Sequence, residues 1–102
     1  MLRITTEKEP KQVTLKLEGE LAGTWVSDFL LAWRKCRRIL DGRALLVDLS
    51  SVVRIDKSGE YLLALVHCHG AQLTGSGIAV RHLIHTIGLE WPRTQSQLSK
   101  EA

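Results

Sequence analysis

The sequence predicts a single α/β domain, a mixed β-sheet covered by helices, with element order β-β-α-β-α-β-α. Three observations carry that prediction. Val13, Leu15 and Leu17 alternate with Thr14, Lys16 and Glu18, the period of two expected of a half-buried strand. Val26, Phe29, Leu30, Trp33 and Ile39-Leu40 fall instead at helical spacing, with Arg and Lys between them. Ala44 to Leu49 is a short, nearly all-apolar run bounded by turn residues, which reads as a central strand covered on both faces.

The elements follow in order. Leu2 to Thr6 forms a short edge strand, ended by the charged, proline-containing stretch from Glu7 to Lys11. With the alternating segment that Gly19 breaks, it makes an N-terminal hairpin. Thr24 is the expected N-cap of the first helix, and Asp41-Gly42 its stop. After the central strand, Ser50 to Arg54 reads as a connection containing the apolar pair Val52-Val53. A second helical pattern starts after Asp56, takes in Leu62, Leu63, Leu65, Val66 and Leu73, and stops near Gly75. The turn Thr74-Gly75-Ser76-Gly77 then leads into Ile78-Ala79-Val80, a third core strand, followed by a short helical piece from Leu83 to Ile87. Parallel neighbours joined by helices imply right-handed crossovers. The folded domain is expected over residues 1–91, with residues 92–102 a polar, weakly ordered tail.

At 102 residues the chain is long enough to bury one core without staples. Its 44% hydrophobic and 25% charged content is that of an ordinary globular domain. Neither Cys36 nor Cys68 has the spacing of a zinc ribbon or a disulfide framework. No apolar stretch approaches the ~20 residues of a membrane span, and the N-terminal apolar run is too short for a signal peptide, so a cytoplasmic location without membrane insertion is expected. Much of the net charge of +3 comes from Arg34-Lys35-Cys36-Arg37-Arg38 and Arg43. Helical spacing is expected to spread the charges of that run around the axis as a solvated rim, which argues against a nucleic-acid partner.

Enzyme signatures are missing. Neither a phosphate-binding Gly-x4-Gly-Lys-Ser/Thr loop nor a Gly-x-Gly-x-x-Gly fingerprint occurs, and Gly75-Ser76-Gly77 is read as a turn before a strand. On a helix His67 and His69 point to nearly opposite sides, and no carboxylate or cysteine completes a metal site around His82 and His85. Ser58-Gly59 lacks the Gly-x that precedes the serine of a nucleophile elbow. No catalytic residue, metal or cofactor is expected.

The informative segment is Ile55-Asp56-Lys57-Ser58-Gly59-Glu60, where the chain enters its second helix. A helix N-terminus presents unpaired N–H groups and partial positive charge, which Asp56 or Ser58 can satisfy as a cap. One reading stops there, with Gly59 needed only for close packing. The other uses the same geometry as a switch: a serine hydroxyl at an exposed helix start can take a phosphate of ~1.5–2 negative charges, which changes the sign of the surrounding surface.

Several segments together resemble the STAS domain, the fold of bacterial anti-sigma factor antagonists and of sulfate-transporter tails. They are Leu17-Glu18-Gly19-Glu20-Leu21, Leu46-Val47-Asp48-Leu49-Ser50-Ser51-Val52, Ile55-Asp56-Lys57-Ser58-Gly59 and the Gly-containing turn before Ile78. The likeness runs from about Leu2 to Leu89. It implies a single STAS-like domain lacking the family's further C-terminal strand and helix, since the tail after Pro92 is short and polar, with Leu98 alone able to pack.

In such antagonists an Asp-Ser-Ser-Gly motif carries a serine phosphorylated by an anti-sigma factor that is also a kinase, and a phosphatase resets it. The resemblance puts Ser58 at the phosphoacceptor position and Asp56, Lys57, Ser58, Gly59 and Glu60 at the partner-binding surface. Lys57 replaces the first serine of the motif, and Glu60 and Tyr61 stand where the family commonly has an apolar and a small residue. Stand-alone STAS proteins also serve as unphosphorylated subunits of lipid-transport ATPases or as signalling scaffolds, which is the alternative reading. A nucleotide-binding role is a third, without a phosphate-cradling loop to support it. The family resemblance further implies a monomer or weak dimer.

Overall fold

A computed structural model describes residues 1–90; the expected polar tail and Leu98 lie outside the described residues. The elements are β1 (Leu2–Lys8), β2 (Gln12–Leu21), α1 (Trp25–Ile39), β3 (Ala44–Ile55), α2 (Lys57–Cys68), β4 (Gln72–Thr74) and α3 (Ile78–Glu90). They form one four-stranded sheet in the order β1-β2-β3-β4. The β1–β2 pair is antiparallel, and β3 runs parallel to both β2 and β4. The mixed sheet and the β-β-α-β-α-β-α order are therefore those the sequence predicts.

The core is one-sided. Val13, Leu15 and Leu17 of β2 and Leu45, Val47 and Leu49 of β3 share a single buried cluster with Phe29, Trp33 and Cys36 of α1 and Leu62, Leu63 and Val66 of α2. Ile87 of α3 joins the same cluster. Burying each such aliphatic or aromatic side chain stabilises the fold by about 1.5–3 kcal/mol. Of the intervening residues Thr14 is buried, but Lys16, Glu18, Leu46 and Asp48 are only half-buried, so β3 is not covered equally on both faces as its apolar run suggests. Arg43 closes the far end of α1, its guanidinium donating to the carbonyls of Leu40 (2.8 Å) and Ile39.

Several boundaries differ from the sequence reading, each for a local reason. Gly19 does not end β2: with φ of +106° it carries the strand past Met1, whose carbonyl would lie 2.3 Å from a Cβ there. The strand runs on to Leu21. Ser50 to Arg54 is strand as well, pairing with the second half of β2. Register shifts fall between Lys16 and Glu18 and between Gly19 and Glu20, so the buried positions of β3 step from Leu49 to Val52 and the alternation that marks a strand is lost.

Thr24 sits at the N-cap position of α1, but its backbone is helical and its side chain caps nothing. The second helix stops at Cys68, and Leu73 belongs to the three-residue β4. Ile78-Ala79-Val80 is the first turn of α3 rather than a core strand, with Ile78 91% exposed. Gly75-Ser76-Gly77 consequently opens a helix. A run of three apolar residues carries no period, so here helix and strand could not be told apart from sequence.

Candidate functional site

The segment singled out in the sequence lies where three element ends meet: the end of β2, the end of β3 and the start of α2. Asp56 has extended backbone and is the N-cap of α2. Its Oδ1 accepts from the Gly59 amide at 2.9 Å and from the Ser58 hydroxyl at 2.7 Å. Its Oδ2 accepts from the Gly23 amide at 2.8 Å, 33 residues back in the β2–α1 loop. The Asp56 amide in turn donates to the Leu21 carbonyl at 3.3 Å. One carboxylate thus caps α2, orients Ser58 and ties the entry of α1 to that of α2.

These donors favour the ionised carboxylate. The Gly23 amide, then the Gly59 amide and the Ser58 hydroxyl, lower the Asp56 pKa from 3.8 to about 2. Ser58 and Lys57 are exposed, Asp56 and Glu60 half-buried, and Gly59 buried. A Cβ on Gly59 would stand 2.4 Å from the Leu21 carbonyl oxygen and 3.0 Å from Ile55 Cγ2, so α2 can begin this close to β2 only with glycine there. Lys57 and Glu60 approach each other at 4.0 Å, a loose exposed pair.

The structure brings Asp56, Ser58 and Gly59 into one hydrogen-bonded unit and leaves Lys57 and Glu60 beside it. Gly23 was not among the residues the sequence pointed to. Nothing local marks it, because its partner lies in another element. Tyr61 (62% exposed), noted in the sequence only as a departure from the family's pattern, and Leu65 (44% exposed), counted there as an ordinary helix position, continue an outward apolar stripe from the Ser58 end of α2. On the flank towards α3, a groove of about 290 Å³ is lined by residues including Val53, Ile55, Glu60, Val80 and Leu83.

Other features singled out in the sequence lie elsewhere. Arg34, Arg37 and Arg38 line one shallow depression on α1, while Lys35 faces the β1 side, so three of the four charges share a face instead of spreading around the axis. Spacings of three and four residues produce that clustering. Arg37 stacks over the Trp33 ring at 5.0 Å. Among the described residues no group of three or more His, Cys, Asp or Glu side chains could hold a metal ion. None of the described helices is long and apolar enough to cross a membrane.

No protein-family profile matches the sequence, and no curated protein matches it. Solved structures do. The fold superposes on that of an anti-sigma factor antagonist from Mycobacterium paratuberculosis with a TM-score of 0.72 and 22% identity, over 98% of this chain and 93% of that one. A protein of the DUF3478 family with a SpoIIAA-like fold, from Shewanella loihica PV-4, matches with a TM-score of 0.57 and 15% identity, over 90% of this chain and 81% of that one. Part of a longer chain, Mglu, matches at 0.56 and 24% identity, over 72% of this chain and 19% of that one. The architecture is therefore the SpoIIAA-like, or STAS, fold.

Proposed function

We propose that the protein is a regulatory binding module of the anti-sigma factor antagonist kind, acting in the cytoplasm, with Ser58 as phosphoacceptor and residues 56–60 as the centre of its partner-binding surface. The supporting observation is the oriented, exposed Ser58 hydroxyl, held at 2.7 Å by a carboxylate that two backbone amides already fix. A kinase meets this hydroxyl in one orientation on a rigid helix start. Phosphate at that point adds ~1.5–2 negative charges beside Asp56 and Glu60 and changes what the surface attracts. In its unmodified form the module binds the anti-sigma factor, and a phosphatase restores that form.

The test is incubation with ATP and its cognate anti-sigma factor kinase. The expected result is a mass gain of ~80 Da that Ser58→Ala abolishes. Absence of any gain with that kinase would refute the phosphorylation switch.

A second reading has its own support. Asp56 already takes up the Gly59 amide at the start of α2, and the Tyr61–Leu65 stripe is a ready apolar contact. On this reading the module is an unphosphorylated subunit of a transporter ATPase or a signalling scaffold. Affinity capture that returns an ATPase, with binding lost in Tyr61→Ala and kept in Ser58→Ala, would select it.

A further inference from the structure

We propose that the chain pairs with a second copy of itself through β1, antiparallel about a two-fold axis at Thr5, to give one continuous eight-stranded sheet. Among the described strands β1 is an edge, seven residues long, whereas the opposite edge, β4, has only three. A strand edge of that length presents a row of unpaired N–H and C=O groups that invites another strand.

The hydrogen-bond phase of the edge limits how a second copy can add. At the two ends of the β1–β2 ladder, the Glu20 amide donates to the Met1 carbonyl and the Glu9 amide to the Gln12 carbonyl, both at 2.8 Å. Hydrogen bonding alternates along an antiparallel pair, so odd-numbered residues of β1 bond to β2 and Leu2, Ile4, Thr6 and Lys8 point their backbone groups outward. A symmetric antiparallel partner must then place even residues opposite even residues. Centring on Thr5 does this over the whole strand, with Leu2 facing Lys8 of the second copy and Ile4 facing its Thr6.

In that register Arg3 faces Glu7 of the second copy, and Glu7 faces its Arg3. Both are non-hydrogen-bonded positions, where side chains approach most closely. Centring on Ile4 instead loses both charge matches, and centring on Thr6 moves Arg3 opposite Glu9, beyond the end of β1. Arg3 and Glu7 are exposed, and among the described residues neither side chain makes a hydrogen bond or ion pair.

The helix-covered side supplies a second, independent observation. Between β1 and α1 runs an open groove of about 530 Å³ whose lining includes Ile4, Ala32, Leu31 and Ile39. Leu31 is 54% exposed and Ile39 37%, an apolar flank of a groove that β1 also lines and that Lys8, Asp28 and Lys35 border. The two-fold axis sets the two grooves side by side on one face of the joined sheet, where each flank covers the other.

The test is sedimentation equilibrium of the full chain across a range of concentrations. A monomer–dimer equilibrium is expected. Glu7→Arg turns two attractive cross-strand pairs into two repulsive ones and weakens association about tenfold or more. Adding Arg3→Glu to it restores association to within about threefold of the parent. Thr6→Pro removes an outward N–H while leaving the β1–β2 ladder intact, and also abolishes the dimer. Thr5→Cys, under mild oxidation beside the parent chain as control, gives a disulfide-linked dimer, because directly opposed residues there lie ~4.5 Å apart at Cα. Circular dichroism verifies that each variant is folded. A chain that stays monomeric throughout overturns the proposal. So does a dimer indifferent to Glu7→Arg and Thr6→Pro, or one that Thr5→Cys does not cross-link.

Discussion

Replacing Gly59 with alanine tests the geometry on which the site rests. The added methyl would meet the Leu21 carbonyl oxygen at 2.4 Å, Ile55 Cγ2 at 3.0 Å and Leu21 Cγ at 3.1 Å. The nearest of these is backbone at the buried end of β2, so the clash cannot be relieved by turning a flexible side chain. Overpacking of this kind costs about 1–3 kcal/mol, and more where backbone must move. Alanine returns at most about 1 kcal/mol through its better helix propensity. The net loss is therefore about 2 kcal/mol, or ~8–16 °C in melting temperature for a domain of this size.

The control is Gly88→Ala in α3. Nothing lies within 4 Å of a Cβ at Gly88, so only the propensity gain remains and stability should rise by about 0.5–1 kcal/mol. Thermal melts followed by circular dichroism read both variants. If Gly59→Ala melts at or above the parent temperature, α2 does not begin against the end of β2 as described, and the placement of Ser58 fails with it. Because Leu21 also accepts from the Asp56 amide, a partly folded Gly59→Ala should lose partner binding more steeply than stability.

Asp56 makes stability pH-dependent in a defined direction. Its folded pKa, about 2, lies below the ordinary 3.8, so its contribution is present above pH ~4–5 and disappears as pH falls toward 2. The stability gap between parent and Asp56→Ala, measured by urea titration at a series of pH values, should shrink over that window; a gap independent of pH would contradict the hydrogen-bonding described. Cys36 is buried and its thiol pKa is raised chiefly by that burial, so iodoacetamide at neutral pH should modify it only after unfolding. Rapid alkylation of Cys36 in the native protein would show that α1 does not pack on β1 and β2 as described. If Ser58 is phosphorylated, its hydroxyl can no longer donate to Asp56, and the Gly23 amide resonance should shift although 35 residues separate the two in sequence. An unmoved Gly23 signal would confine the effect of the phosphate to the surface of α2.

The parts of the fold that were legible in sequence are those where one period holds over an element. Val13, Leu15 and Leu17 show it for β2, and Phe29 with Trp33 for α1. Legibility failed where geometry breaks the period. The register shifts opposite Lys16–Glu20 move β3 from odd to even buried positions, so a twelve-residue strand reads as a six-residue one and a connection. It failed again at α3, where Ile78 is exposed and only Ile87 is fully buried, so its apolar residues report little about which face packs. The element order nevertheless came out right, because moving the last strand from Ile78–Val80 to Gln72–Thr74 leaves the count unchanged.

The candidate site divides in the same way. Asp56 as cap, Ser58 in the open and Gly59 in tight packing follow from the chemistry of a helix start, because the groups concerned lie within three residues of one another. What no local rule supplies is the third partner of the carboxylate. Gly23 reaches Asp56 only because β2 and β3 run parallel and finish together, at Leu21 and Ile55, which sets the loop into α1 beside the loop into α2. Parallel strands deliver the starts of their following helices to the same edge of the sheet, and there one acidic side chain can serve two of them. The site is therefore a property of the topology as much as of the motif: the same five residues at the head of an isolated helix would cap it, but would hold no second loop in place.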